Sequence, residues 1–139
     1  MDTSGLMFPK GAPRYVQRHQ RKVAAKASLE ACYAQVEARD QNTCRVTGAH
    51  LSPGAVDPKA RREHHHIVKR SRDRLLIDDP ANVILVSAAC HRLITDGWLI
   101  VEGADASLPN RLRYHWRNET PASLKIITIK SRRRSQRED

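Results

Sequence analysis

Aromatic side chains are scarce in this sequence, since Phe, Trp and Tyr make up only 4% of its 139 residues. Long apolar runs are missing as well. No run is longer than four residues, the length of residues 83–86, which is far too short to cross a bilayer. We therefore expect a small aliphatic core and no membrane partner. A core of this size often depends on further support, of which a bound metal is one common form.

Cysteine is also rare, with Cys32, Cys44 and Cys90 as the three examples. Three cysteines do not suggest the disulfide framework of a small secreted protein. Residues 1–5 lack a basic segment followed by an apolar stretch, so we expect no signal peptide. These absences favour a soluble protein of the cytoplasm.

Acidic residues are outnumbered: 25 Lys and Arg face 15 Asp and Glu, which gives a net charge of +10. Such a balance predicts a polyanionic partner, with nucleic acid as the first candidate and an affinity that falls as salt rises. Charge alone fits two further classes, a solvated basic protein and an RNA-binding or ribosome-associated protein. Both alternatives stay open.

The distribution of Gly and Pro divides the chain into segments. Residues 14–40 contain neither and predict a long helix, interrupted near Ser28 by a residue able to cap a second segment. Its expected apolar seam has helical spacing: Val23, Ala27, Ala31, Ala34 and Ala38. Its basic residues fit a row along DNA and an ordinary solvated face equally well: Arg14, Arg18, Arg21 and Lys22.

The centre of the chain predicts a strand, a loop, a strand and a helix. The strands are expected at residues 61–67 and 83–86, and Ser87 caps a helix that runs to Thr95. Three more β-prone runs follow, at residues 98–101, 111–116 and 126–129. The resulting organisation is a flexible lead-in (1–13), a helical segment (14–40), a core (41–103), a C-terminal β extension (104–129) and a disordered basic tail (130–139).

Three consecutive histidines, His64, His65 and His66, end the first predicted strand. Successive side chains of a strand point to opposite faces, so His64 and His66 share one side and His65 takes the other. If the following loop bends the strand end, one imidazole can hold a metal ion while its neighbour polarises a water molecule. His91 can join them from the helix. A metal site, a base that titrates near neutral pH and a basic surface together indicate a nuclease.

Three ordered stretches of the chain resemble the HNH endonuclease family, over about residues 36–103. Arg39-Asp40 with Cys44-Arg45-Val46-Thr47-Gly48 resembles the start of the family's motif. His65-His66-Ile67, Asn82 and Cys90-His91 resemble its ββα-metal core, and Gly97-Trp98-Leu99 to Gly103 resembles a hairpin of phage and bacterial stand-alone members. The implied fold is α+β: a small ββα-metal core, a long N-terminal helix and additional short C-terminal strands.

The resemblance also implies roles for four residues. His66 matches the general base, and Asn82 matches the residue that orders the loop and orients that base. His65 and His91 match ligands of one divalent metal ion, for which Mg, Mn, Ni and Zn are all candidates. The implied reaction is hydrolysis of DNA phosphodiester bonds to 5′-phosphate and 3′-hydroxyl ends. We expect weak sequence preference, because basic residues contact the backbone without reading bases.

The sequence departs from the family pattern at two places. Where many members carry another His or Asn one helical turn after the last motif histidine, this chain has Thr95, followed by Asp96. Thr95, Asp96 and His64 are further candidates as metal-binding or supporting residues, although a solvated or phosphate-contacting imidazole is favoured for His64. Members with a structural zinc use two CxxC pairs.

Half of each CxxC pair is replaced here, by Thr47 and Ser87. We expect no structural zinc, because two thiolates and two hydroxyls make a poor zinc site. Cys44 and Cys90 are instead expected to lie close together in the core.

The expected partner is DNA, contacted through its backbone by a set of arginines: Arg70, Arg72, Arg74, Arg132, Arg133 and Arg134. A phage or prophage origin, and phage terminase or another protein that supplies specificity, are family associations. The alternative within the same fold is a catalytically weak or inactive DNA-binding protein. The matching His66 and Asn82 argue for the enzyme, and the missing final ligand argues for the binding protein.

Overall fold

The computed structural model describes residues 11–69, 72–108 and 110–130. It contains a long helix, α1 (Arg14–Asp40), a strand pair, β1 (Arg62–His66) and β2 (Val83–Ser87), a short helix, α2 (Ala88–Thr95), and a second pair, β3 (Leu99–Glu102) and β4 (Arg113–Trp116). Short 3-10 turns lie at Arg74–Leu76, Pro80–Asn82 and Ala122–Leu124. The predicted class is confirmed at this level: a small α+β protein with a long helix and short antiparallel strands. Most of the predicted lead-in and tail lies outside the described residues.

The helix α1 occupies the predicted range but has no break. It starts after Pro13 and ends where Gln41 adopts a left-handed conformation, with φ 53°. The predicted interruption at Ser28 is wrong, because this side chain does not cap a new segment. Its Oγ donates a hydrogen bond to Asp78 Oδ2 at 2.5 Å and so joins the helix to the loop between β1 and β2.

The predicted apolar seam of α1 is also wrong. All its members are exposed: Val23, Ala27, Ala31, Ala34 and Ala38. The buried positions are Cys32, Val36 and Asp40. The sequence pattern missed this face because it ends in a charged residue. Burial of Asp40 is offset by hydrogen bonds from Arg39, from Arg45 and from the backbone N–H of Leu85.

The two strands β1 and β2 are antiparallel, with Arg62 opposite Ser87 and His66 opposite Val83. Every residue of β2 is buried, as expected for an apolar strand that both helices contact. The helix α2 follows at once, because the Ser87 hydroxyl accepts a hydrogen bond from the Cys90 N–H at 3.1 Å. The predicted order of strand, loop, strand and helix is confirmed.

The pair β3–β4 forms an antiparallel hairpin in which Leu99 lies opposite Trp116. At its loop end Gly103 has φ +111°, and a Cβ there would collide with the carbonyl of Arg111, so glycine is required. Trp98 and Trp116 pack against the core. The Arg117 guanidinium lies 4.1 Å from the centre of the Trp98 ring.

The β-prone run at residues 126–129 does not form a strand, contrary to the prediction. It packs through Ile127, which is buried, whereas Ile126 is half exposed. The segment is joined to the core by the hydrogen bond from the Lys130 N–H to the Val46 carbonyl, at 2.7 Å. Ile127 and Ile129 thus pack on the core from one side of a segment that pairs with no strand of the described residues.

None of the described helices is both long and apolar enough to span a bilayer.

Candidate active site

The pleat of β1 sends the three consecutive histidines to two faces. His64 stacks on Tyr33 of α1, with ring centres 3.9 Å apart, and His66 meets the same ring edge-on at 6.1 Å. His65 points away from them, and its ring centre lies 5.4 Å from that of His91. The alternation predicted from the sequence is therefore confirmed.

The face of β1 that looks toward α2 brings together His65, His91 and Glu63. His91 Nδ1 lies 2.8 Å from Glu63 Oε1. Because an ionised carboxylate can only accept, Nδ1 carries the hydrogen of this bond, and the lone pair of a neutral His91 is then on Nε2. A carboxylate behind a histidine fixes its tautomer and orientation in this way at many metal sites.

His65 is neutral at physiological pH. Burial, together with the nearby imidazoles of His91 and His66, lowers its pKa to about 4. Metals bind the neutral imidazole, so the environment of His65 keeps this side chain in the form that a metal requires.

The donor set of this face fits a divalent ion with open coordination positions. Two imidazoles from neighbouring elements face each other, and one of them is oriented by a carboxylate. In the part of the chain that the structure describes, no group of three or more His, Cys, Asp and Glu is arranged to hold a metal.

The two candidate ligands at the end of α2 have partners on that helix. The Thr95 hydroxyl donates to the His91 carbonyl at 2.9 Å. The Asp96 carboxylate is exposed and lies 3.9 Å from the Arg92 guanidinium. The third candidate, His64, lies on the other face of β1, where its Nε2 is 3.0 Å from Glu37 Oε1. The structure thus unites His65 and His91 but does not show these three side chains beside them.

His66 is held at the end of β1 by the loop that follows. Its Nε2 lies 2.8 Å from the Ile77 carbonyl oxygen. A carbonyl only accepts, so Nε2 carries the proton of a neutral ring and the lone pair is on Nδ1. A histidine fixed in one tautomer by a backbone carbonyl is well suited to accept a proton at its other nitrogen.

Asn82 closes the loop that supplies this carbonyl. The side chain is buried; its Oδ1 accepts from the Val68 N–H at 2.8 Å, and its Nδ2 donates to the carbonyls of Val68 and Leu76 at 3.1 Å. Both ends of the loop are thereby tied to one amide. Asn82 does not touch His66 in these contacts but holds the segment next to Ile77.

Two of the predicted DNA-contacting residues, Arg72 and Arg74, are exposed on this loop. The others lie outside the described residues: Arg70, Arg132, Arg133 and Arg134.

The two core cysteines approach as predicted. Cys44 Sγ and Cys90 Sγ are 3.8 Å apart and both side chains are buried. Hydrogen bonding between the sulfurs lowers the pKa of Cys44 and raises that of Cys90, so that Cys90 holds its proton more firmly. Gly48, with φ +79°, donates its N–H to the Cys44 carbonyl and makes the turn that aims Cys44 at α2.

Sequence analysis assigned no role to Glu63, Tyr33 or Glu37. Glu63 was detectable, because it lies two residues before His65 and a strand places both on one face. Tyr33 and Glu37 were not detectable, since nothing in the sequence says which strand this part of α1 contacts.

The end of β1 carries histidines on both of its faces, and α2 opposite it carries one more, His91. In a strongly basic protein, this arrangement is consistent with a nuclease. In the comparison with protein families, residues 41–102 match the family model described as HNH endonuclease. The predicted resemblance is confirmed: this segment of the chain is similar to HNH endonucleases. The comparisons with curated proteins and with solved structures gave no match.

Proposed function

We propose that this protein is a divalent-metal-dependent DNA endonuclease in which β1, β2 and α2 form the ββα-metal core. The observation that carries the proposal is the 2.8 Å contact of His66 Nε2 with the Ile77 carbonyl, in a strand whose preceding residue, His65, faces His91. A histidine held by the backbone at the end of a strand that also carries a potential metal ligand fits phosphodiester hydrolysis by a domain similar to HNH endonucleases.

In this proposal His66 is the general base. Its Nδ1 accepts a proton from the water that attacks phosphorus, and an imidazole does so efficiently near neutral pH. The Ile77 carbonyl, at 2.8 Å from Nε2, stabilises the positive charge that then forms on the ring. Asn82 keeps this carbonyl in place by holding both ends of the loop.

His65 and His91 would hold the metal ion, and Glu63 would orient His91. When bound, a divalent ion such as Mg, Mn, Ni or Zn supplies Lewis-acid stabilisation of charge on the phosphate and leaving oxygens. Asp96, Thr95 and His64 remain candidates for a supporting role. The expected products carry 5′-phosphate and 3′-hydroxyl ends, as the family implies.

Backbone contacts by the arginines of the loop and tail would give weak sequence preference: Arg70, Arg72, Arg74, Arg132, Arg133 and Arg134. We further propose that the protein has a phage or prophage origin. Terminase or another protein partner would then supply its sequence specificity.

The test is cleavage of supercoiled plasmid by the purified protein with Mg, Mn, Ni or Zn, and with EDTA. Nicking or linearisation in at least one metal, abolished by EDTA and by His66→Ala, is the expected result. The His66→Ala variant should still bind DNA, because it leaves the basic residues unchanged.

The second candidate function is DNA binding by a domain with little or no turnover. It is favoured by one observation: within the described residues no three-ligand metal group is present, and the Thr95 hydroxyl is engaged by the His91 carbonyl. Salt-sensitive DNA binding without cleavage in any of the four metals would select this function instead.

A further inference from the structure

The first half of α1 is strongly basic and exposed. Residues 14–29 contain no acidic side chain, and Glu30 is the first acid of the helix. Arg14, Arg18 and Lys22 are exposed, and we call these three residues the basic face. Successive members are four residues apart, which places them on one side of the helix about 6 Å apart along its axis.

The basic face is the continuation of the buried face of the same helix. Eighteen residues make five turns of about 3.6 residues each, so positions 18 apart point in the same direction. Arg14, Arg18 and Lys22 therefore point as Cys32, Val36 and Asp40 do, and these are the residues that α1 buries against the core. In the second half of α1 this side of the helix is buried against the core. In the first half the same side is exposed at Arg14, Arg18 and Lys22.

The point where the two halves meet lies beside the candidate active site. Ser28 of α1 binds Asp78, and the neighbouring Ile77 supplies the carbonyl that orients His66. The same loop carries the exposed Arg72 and Arg74. Its three acidic residues all accept hydrogen bonds: Asp73 from the Leu75 N–H, Asp78 from Ser28 of α1 and Asp79 from the Ala81 N–H.

We propose that the basic face binds the sugar-phosphate backbone of duplex DNA and positions the duplex next to the loop that holds His66. A straight row of cations with no intervening acid complements a rigid polyanion, whose phosphates repeat regularly along each strand. The inference rests on the proposed function for the identity of the site that it serves. It adds a contact surface on α1 that is separate from the arginines of the loop and tail.

The experiment measures binding of a 25-base-pair duplex by fluorescence anisotropy in EDTA, at several salt concentrations. The test variant combines Arg14→Gln, Arg18→Gln and Lys22→Gln, because glutamine removes charge but keeps high helix propensity. The matched control removes three exposed charges from other parts of the chain, by Lys59→Gln, Arg113→Gln and Lys125→Gln. Far-ultraviolet circular dichroism checks that helix content is unchanged, and a structured RNA hairpin is measured in parallel.

Loss of three phosphate contacts should reduce the magnitude of the negative slope of log affinity against log salt by about 3, and should weaken binding at 0.1 M salt roughly a hundredfold. The control variant should bind within about threefold of the wild type, with its slope nearly unchanged. The proposal is overturned if both triple variants bind the duplex alike, or if the basic-face variant loses affinity for the RNA hairpin alone.

Plasmid cleavage by the same proteins keeps the two proposals apart. If the wild type cleaves and the basic-face variant binds DNA as tightly as the wild type, the nuclease proposal is supported and the DNA-binding role of the basic face is rejected. A wild type that cleaves in no metal, but whose steep salt dependence disappears in the basic-face variant, supports the surface and rejects the nuclease.

Discussion

Two histidine–carboxylate pairs lie on opposite faces of β1, and they differ in what surrounds them. On the α1 side, His64 and Glu37 are 3.0 Å apart, and Arg62 also binds Glu37 at 3.1 Å. On the α2 side, His91 and Glu63 are 2.8 Å apart. The His64 side chain is 16% exposed and stacked on Tyr33, whereas that of His91 is 32% exposed and faces a second imidazole, His65.

The comparison shows that the same two residue types make an anchor on one face and a potential ligand site on the other. His64 has its ring covered by Tyr33 and its Nε2 bound to Glu37, so it joins α1 to β1. The pair with Glu63 leaves the lone pair of His91 on the nitrogen away from the carboxylate, where a ligand can be bound. Surroundings, and not residue type, separate the two.

The largest expected effect distinguishes His66 from His64, which share a face. His66→Ala should reduce cleavage by about 10²–10⁴-fold, because it removes the general base. His64→Gln should retain cleavage within about threefold while lowering thermal stability, because it loses the ring stacked on Tyr33. Initial nicking rates and melting temperatures of both variants provide the check. Equal loss of cleavage in the two variants, with both proteins folded, would remove the distinction.

The second effect compares the two carboxylates directly. Glu63→Gln should weaken metal binding by about 10–100-fold, the usual consequence of losing the residue that orients a histidine ligand. Glu37→Gln should leave metal affinity unchanged, because its histidine partner lies on the other face. Metal affinity of both variants is measured by isothermal titration calorimetry with Mn or Ni, and by the metal concentration needed for half-maximal cleavage. A matching loss of affinity in Glu37→Gln would contradict the assignment of the two faces.

The third effect concerns the loop that belongs to the His66 side. Asn82→Ala should destabilise the fold by about 2 kcal/mol, because three hydrogen bonds are lost and buried backbone groups of Val68 and Leu76 are left unsatisfied. Cleavage should fall more than DNA affinity, since the carbonyl that orients His66 is no longer held. Urea unfolding and the ratio of cleavage to binding test this. If stability falls but the folded fraction of Asn82→Ala cleaves as fast as the wild type, Asn82 does not help to orient His66.

The smallest effect is a pH dependence on the His65 side. The pKa of His65 is about 4 in the folded chain against 6.5 for an unperturbed histidine, so between these values the unfolded chain binds a proton that the folded chain does not. The contribution of His65 to stability is therefore complete above pH 6.5 and is lost as pH is lowered toward 4.

His65→Gln should flatten this dependence in metal-free protein, whereas His115→Gln, at an exposed position of β4, should leave it unchanged. Urea unfolding at several pH values between 4.5 and 7.5 measures both. A profile of the wild type that rises on acidification would show that the sign is wrong.

The sequence predicted the elements around the site far better than the face of the long helix. The order of β1, β2 and α2 followed from the β-branched run of β2 and from Ser87 as a cap, both of which are local signals. The buried face of α1 was missed because Asp40 is buried with its ion-pair partners. Residues 126–129 were misjudged because β-branched residues favour extended backbone, and the sequence does not say whether another strand pairs with it.

The sequence by itself determined the positive charge, the alternation of His64, His65 and His66, and the resemblance of the central segment to HNH endonucleases. These depend on composition, on the two-residue period of a strand and on short-range spacing. Only the tertiary structure decided that Glu63 supports His91, that Tyr33 and Glu37 hold His64, and that Ile77 fixes the tautomer of His66. Each of these contacts joins residues 11 to 31 positions apart or lies across two elements, and loop conformation and helix docking, which no local pattern encodes, bring them together.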